Sequence, residues 1–408
     1  MNLKQIRQIL KDTDFVRTGG SAQELRAAEY LRDKCLAMGV SAWLEDFDVA
    51  MAEIREAHLY ADGREIPCKG YLCCGSWDTE AEFLYLPNTD PVSLRAVKDK
   101  IVLLDSGVSH FLFMDLIENG AAGFITCDGN VHYKDNDIDQ KELRGYVAMG
   151  KKLPGVNVNA KSAAALVKSG TKKVRIVVDQ KEYTGNSRNV VAELPGTSDE
   201  WIILTAHYDS TSLSRGSYDN MSGCIGLLEI LDSLRTAPHR CGLRFVFCGS
   251  EERGLLGSKA YAAAHEKELD KAVLNINLDM IGTYMGKFIA CCSAEEGLVT
   301  YLKYLSAELG WGIEPRTGVY SSDSTPFADK GVPAVSFARI AGNNQATIHN
   351  RYDTMALLSD ERLRTDGAFL TEFTRRMADA AVCPVKRTIP DKVREELDVY
   401  LNRKRKEQ

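Results

Sequence analysis

The sequence predicts an α/β protein: a mixed, mostly parallel central sheet with helices on both faces, plus a smaller α+β domain inserted into it. Three observations predict this. From about residue 186 to 380, apolar strand-like runs alternate with amphipathic helical runs, the pattern of strand–helix crossovers. Between about 52 and 182, short strand-like runs follow one another with only two helical stretches between them. The length of 408 residues also exceeds the usual size of one domain. The expected division is a discontinuous main domain at 1–51 and 183–385, an insert at 52–182 and a charged tail at 386–408.

The elements follow in order. After Thr18-Gly19-Gly20-Ser21, the residues Leu25, Ala28, Leu31, Cys35 and Met38 recur at helical spacing, and Gly39 ends the helix. VSAWLEDFDV then alternates as a strand. In the insert EIREAHLYA, EFLYLP, KIVLLDSG, AGFITC and KKVRIVVD read as strands, and HFLFMDLIENG and AKSAAALVKSG as helices. The insert holds no dense cluster of metal-ligating residues. Beyond it, NVVAELPG and WIILTA are strands. In SGCIGLLEILDSLR, Ile225, Leu228, Leu231 and Leu234 repeat every three residues, with Leu227 and Ile230 widening the buried stripe. LRFVFC, AVLNINL and PAVSFA are further strands, separated by the helices LGSKAYAAAHEKEL and AEEGLVTYLKYLSAEL. A long last helix begins at DERLRTDG. In the tail Val393, Leu397, Tyr400 and Leu401 mark one weak apolar stripe. A solvated terminal helix is expected there, with a small oligomer contact, and so a homodimer, as the alternative.

Composition narrows the function classes. The net charge of −6 provides no basic footprint for nucleic acid. No stretch reaches the ~20 apolar residues of a membrane span. Lys11, Asp12 and Asp14 interrupt the N-terminal segment before any signal-peptide apolar run, so a cytoplasmic protein is expected. Eleven cysteines lie mostly in apolar runs, as Cys127, Cys224 and Cys248 do, and the adjacent pairs Cys73-Cys74 and Cys291-Cys292 lack C-x-x-C spacing. Reduced, buried thiols are expected rather than disulfides or a cysteine metal site.

The chemistry-bearing residues follow the apolar strands. WIILTA runs into His207-Tyr208-Asp209, LRFVFCGS into Glu251-Glu252 and AVLNINL into Asp279. PAVSFA leads through a Gly/Asn-rich loop to His349, and Asp219-Asn220 lies in a loop just before a helix. In open α/β sheets function collects at the carboxyl ends of strands. A ring of carboxylates and imidazoles there repels itself unless cations neutralise it. Two histidines with Asp219, Glu252 and Asp279 form a nitrogen and oxygen set that suits zinc. Five ligands exceed what one open catalytic zinc takes, and they fit two metals sharing one carboxylate. Neighbouring Glu251 and Glu252 point different ways, so one can bind metal while the other acts as general base. Asp209, two residues from His207, can accept its second ring N–H. His58, His110, His132, His239 and His265 read as ordinary surface histidines.

Those residues, as HYD at 207–209, SYDNMSG at 217–223, SEERGLLGS at 250–258, NLDMIG at 277–282 and IHNRYDT at 348–354, resemble the M28 family of zinc aminopeptidases. The resemblance covers about 186–380. The insert resembles a protease-associated domain, through KDKIVLLDSG followed by AAGFIT. Carried over residue by residue, the resemblance implies two zinc ions per chain: His207 and Asp279 on one, Glu252 and His349 on the other, Asp219 bridging. It implies Glu251 as general base, Asp209 orienting His207, a cis peptide between Asp219 and Asn220, and peptides with a free N-terminus as substrates. Ser322-Asp323 resembles a family loop near the substrate. Some relatives carry Tyr just before the final His. This chain has Ile348, which leaves Tyr320, Tyr352 or the zinc itself to stabilise the oxyanion. The rival readings are a dipeptidase or carboxypeptidase of the same fold, or a catalytically silent binding protein.

Overall fold

Helices start where a side chain can hold the first free amides. Asn2 accepts the Gln5 N–H and Gln5 accepts the Asn2 N–H, opening α1 (Leu3–Asp12). Ser21 accepts the Glu24 N–H, opening α2 (Ala22–Ala37). The buried face of α2 is Glu24, Ala27, Ala28, Leu31 and Cys35. Ala28, Leu31 and Cys35 of the expected stripe are buried, while Leu25 is only half-buried and a carboxylate heads the face instead.

The computed structural model describes residues 1–105, 107–134, 137–342 and 345–405. Ser106 of the KIVLLDSG run, Asn343 and Asn344 of the loop before His349, and the last three tail residues lie outside the described residues. After α2 comes the strand β1 (Ser41–Ala61), then β2 (Arg64–Ile66), β3 (Cys68–Gly70), β4 (Trp77–Leu86) and α3 (Pro91–Leu94). The chain continues through β5 (Lys100–Leu104), α4 (His110–Glu118), β6 (Gly123–Asp128), α5 (Gly145–Ala148), β7 (Gly155–Asn159) and α6 (Ala160–Lys168) to β8 (Lys173–Leu194). Next are β9 (Trp201–His207), α7 (Ser222–Leu234), β10 (Gly242–Cys248), α8 (Leu256–Ala264) and β11 (Ala272–Leu278). The last elements are β12 (Lys287–Ser293), α9 (Glu296–Leu309), β13 (Glu314–Thr317), α10 (Thr325–Asp329), β14 (Ala334–Ile340), α11 (Asp360–Asp379) and α12 (Asp391–Tyr400).

The chain divides into two compact units, Met1–Phe47 with Asn186–Gln408, and Asp48–Gly185. Both divisions fall inside long strands, β1 and β8, each of which the sequence presents as two shorter runs. β1 carries no Gly, Pro or Asn to mark its division, whereas the division in β8 falls between Gly185 and Asn186.

In the first unit the strand order is β13-β12-β14-β11-β9-β10-β8. β10, β9, β11 and β14 run parallel to their neighbours in that series, while β8 and β12 pair antiparallel at either side of it. Strand residues divide by parity. Ile202, Leu204, Phe245 and Phe247 face a core built with α1, α2, α7, α9 and α11, whereas Ile203, Val246 and Cys248 face Tyr261 of α8 and Phe327 of α10. Helices therefore cover both faces, which is why the central strands are mostly apolar. The tail is not the solvated helix expected. Ile389, Val393 and Leu397 are buried against Ala328 and Ala334, each burial contributing about 1.5–3 kcal/mol.

In the second unit β4, β5, β6 and β7 are parallel neighbours, with β3 antiparallel to β7, β8 antiparallel to β4, and β2 antiparallel to β1. It has its own core, including Phe113, Phe124, Val156 and Ile176. The strand β7, GVNVN, was not expected. It is fully buried but short, and its two asparagines disguise it. None of the eleven cysteines forms a disulfide. No helix among the described residues is long and apolar enough to cross a membrane.

Candidate metal centre

Because β10, β9, β11 and β14 run the same way, their carboxyl ends open on one edge of the sheet. His207 is the last residue of β9. Glu251 and Glu252 begin a short 3-10 turn (Glu251–Arg253) beyond β10. Asp279 follows β11, and His349 lies in the segment between β14 and α11. Asp219 comes from the tight turn Ser217–Met221 that enters α7, and its peptide bond to Asn220 is cis.

These five side chains form two groups that share one member: His207, Asp219 and Asp279, and Asp219, Glu252 and His349. Asp219 Oδ1 lies 3.1 Å from His207 Nε2, and Asp219 Oδ2 lies 3.0 Å from His349 Nε2. Each oxygen of one carboxylate thus faces a different imidazole. Asp279 Oδ1 is 3.7 Å from His207 Nε2, and Glu252 Oε2 is 3.1 Å from His349 Nε2. In a tetrahedral shell, zinc bonds of about 2.0–2.2 Å place neighbouring ligand atoms roughly 3.3–3.6 Å apart, so these separations are close to the edges of a coordination shell. Asp279 Oδ1 is buried without a hydrogen-bond partner, a state that a cation relieves. The residues present fit metal ions at both groups.

The ligands are held from behind. Asp353, fully buried, accepts the N–H of Tyr218 at 2.8 Å and of Asp219 at 3.2 Å, and the Ser214 hydroxyl at 3.1 Å. Asn220 ties the same turn to the end of β11. It donates to the Leu278 carbonyl and accepts the Met280 N–H. Arg17, also fully buried, donates to the carbonyls of Tyr208, Arg215 and Gly216 around the loop between His207 and Asp219. Asp209 lies 3.3 Å from His207 Nδ1, but its hydrogen bonds run to the backbone N–H groups of Glu251 at 2.9 Å and Glu252 at 3.2 Å. Sequence reasoning missed Asp353 and Arg17. The one signal for Asp353 was its charge inside the IHNRYDT motif, and Arg17, outside every motif, had none. Ser322 and Asp323 are buried.

Burial dominates the electrostatics. It pushes the Glu251 carboxyl well above the usual range. His207 opposes this, and Glu252, Asp323 and Asp279 add to it. Burial also raises Asp279 and Glu252. It would raise Asp219 too, but hydrogen bonds to both histidines outweigh it and hold this carboxylate below its usual value. Burial disfavours the charged ring of His349, yet Glu252 and Asp219 push it up to about 11 in the metal-free protein. Such a site holds protons where it would otherwise hold metal. Of the two candidate tyrosines, Tyr352 is largely exposed. Tyr320 is partly buried, and burial, then Asp279, Tyr218 and Asp219, raise its hydroxyl.

Fold and site together define a class: α/β proteins that gather metal ligands where parallel strands end. A model described as Peptidase family M28 matches residues 189–374. Aminopeptidase YwaD of Bacillus subtilis (strain 168) is 30% identical over 376 residues, covering 87% of this chain and 80% of that protein. The chain belongs to peptidase family M28. Leucine aminopeptidase 2 of Arthroderma otae is 32% identical over 195 residues, 46% of this chain and 38% of that protein. The solved structure of BSAP, a zinc aminopeptidase from Bacillus subtilis, superposes with a TM-score of 0.78 at 21% identity, covering 96% of this chain and 98% of that one. An aminopeptidase from Aneurinibacillus sp. strain AM-1 gives 0.76 at 22%, covering 93% and 94%.

Proposed function

We propose that this chain is a zinc aminopeptidase that removes residues from peptides with a free N-terminus, using two zinc ions and Glu251 as general base. The observation that carries the reading is Asp219, whose two oxygens face two different histidines, each group completed by one further carboxylate. His207 and Asp279 would hold one ion, Glu252 and His349 the other, and Asp219 both. When bound, zinc supplies a Lewis acid for the scissile carbonyl and lowers the pKa of an attacking water.

The chain's own groups do the rest. Glu251 Oε2 takes the proton of the attacking water and returns it to the leaving amine nitrogen. A raised pKa suits a group that must both accept and donate. Asp209 fixes the Glu251 and Glu252 amides. We expect a free substrate α-amine to bind near one ion and its acidic neighbours, which would make the enzyme an exopeptidase. For the oxyanion, where Ile348 cannot donate, Tyr320 is our candidate, because its hydroxyl feels the charges of Asp279 and Asp219. We read Asp48–Gly185 as a protease-associated-type insert, and the unbonded cysteines support a cytoplasmic location.

The test is hydrolysis of a panel of aminoacyl-p-nitroanilides, each free and N-acetylated, with zinc and with chelator. Cleavage of only the free-amine members, lost with chelator, is expected. Equal cleavage of the acetylated members removes the aminopeptidase reading. No cleavage by protein shown to hold two metals per chain moves the assignment to a dipeptidase or carboxypeptidase.

A further inference from the structure

We infer that Glu24 is a positioning residue for the Glu251–Glu252 pair, acting through the backbone of Ser250. The inference rests on the roles proposed above for that pair. β10 ends at Cys248, and the chain must leave the strand so that residues 251 and 252 reach the two metal groups. Ser250 makes that turn with φ 53° and ψ 36°, a left-handed conformation that residues with a Cβ seldom adopt. Glu24 holds it there. Its Oε1 accepts the Ser250 N–H at 2.7 Å and lies 3.0 Å from the Ser250 hydroxyl. Its Oε2 accepts the Gly20 N–H at 2.6 Å and the Ser187 hydroxyl at 2.8 Å.

The next two amides, of Glu251 and Glu252, end on Asp209. Three consecutive N–H groups, 250 to 252, are therefore captured by two buried carboxylates from different parts of the chain. A left-handed residue before a helical turn is what makes successive amides converge on anions in this way. The packing leaves the carboxylate no other place. A Cβ at Gly19 would lie 2.5 Å from Ser250 Oγ, and one at Gly249 would lie 3.0 Å from Glu24 Oε1. The dihedrals of residue 250 set where the following side chains point. Those side chains meet their partners closely, Glu252 Oε2 at 3.1 Å from His349 and Glu251 Oε2 at 3.9 Å from His207. A residue remote from the chemistry that fixes this turn therefore acts on it with little effect on substrate binding.

The experiment compares wild type, Glu24→Gln and the double variant Glu24→Gln/Ser250→Gly, each full-length and each loaded with Co(II) as a spectroscopic probe. Glu24→Gln keeps the shape but presents an amide donor where an acceptor is needed. Expected are a kcat lowered about 10–100-fold with KM nearly unchanged, and a shifted visible Co(II) band, in a protein that still melts cooperatively. Glycine adopts the left-handed turn without help, so the double variant should regain part of kcat and of the band. A folded Glu24→Gln with the wild-type kcat and band overturns the inference, and a double variant no better than Glu24→Gln overturns the route through Ser250. If Glu24→Gln does not fold, Ser187→Ala, which removes one donor to the same carboxylate, must shift the Co(II) band, and an unshifted band overturns the inference. Should wild type hydrolyse no peptide, the proposed function fails. The Co(II) bands, which need no turnover, still decide the role of Glu24.

Discussion

Glu229 lies on α7 against α11, and its burial has a definite pH signature. It is 9% exposed. Its Oε2 has no hydrogen-bond partner, and a Cβ placed on Gly367 of α11 would lie 2.3 Å from it. Burial pushes the carboxyl from 4.5 up to about 7, while the Met1 amine and Arg364 pull the other way. The unfolded chain releases this proton near the ordinary value and the folded chain releases it near 7. Between the two the folded state binds more protons, so stability falls as pH rises from about 4.5 to about 7. At about 1.36 kcal/mol per pKa unit the loss is on the order of 3 kcal/mol. Glu229→Gln has nearly the same shape and never ionises. It should differ little from wild type at pH 4.5 and be more stable by up to about 3 kcal/mol at pH 8. Urea midpoints at the two pH values, at one fixed zinc concentration, measure this. An offset of the same size at both would refute the assignment of a buried, uncompensated carboxyl.

Four further outcomes follow from the site. Glu251→Gln should lower kcat by about 10²–10⁴-fold with metal content unchanged, measured by steady-state kinetics and elemental analysis, and near-normal turnover would remove it as the base. His349→Ala should lose the ion of the Asp219–Glu252 group first, so metal per chain falls by about half while the His207 group stays loaded. Tyr320→Phe should lower kcat roughly 10–100-fold with KM little changed, and an unaltered kcat would pass the oxyanion role to the metal. Zinc binding should release protons near neutral pH, because His349 holds one up to about 11 when metal is absent. Affinity should therefore rise with pH, and calorimetry in buffers of different ionisation enthalpy reads the release. Binding heats independent of buffer would contradict it.

Local pattern carried much of this. The helix α7 was readable from Ile225 to Leu234 because every third or fourth position is apolar and nothing in it breaks a helix. The strands ending at His207, Cys248 and Leu278 were readable because both faces are covered, which leaves seven-residue, mostly apolar runs closed by charged residues. The short or polar elements were not. β7 carries asparagines whose side chains bond Asp128 and the backbone at Asp139 and Lys134, partners up to 29 residues away, and β13 has only four residues. The tail helix looked solvated because its apolar stripe is thin, and only the presence of Ala328 and Ala334 beside it turns that stripe into a contact.

By itself the sequence determined the class of fold, the order of the strands that lead into the site, though not β12, β13 or α10, and the identity of the residues able to hold metal. Periodicity is a local property, and ligand chemistry belongs to the side chains themselves. Only the tertiary structure decided that Asp219 turns one oxygen to each histidine. It alone decided that Asp209 grips the Glu251 and Glu252 amides, and that Glu24, Arg17 and Asp353 brace the turns carrying the site. Those contacts join residues up to 226 positions apart, and hydrogen-bond direction depends on where two backbones meet in space. No spacing along the chain encodes that.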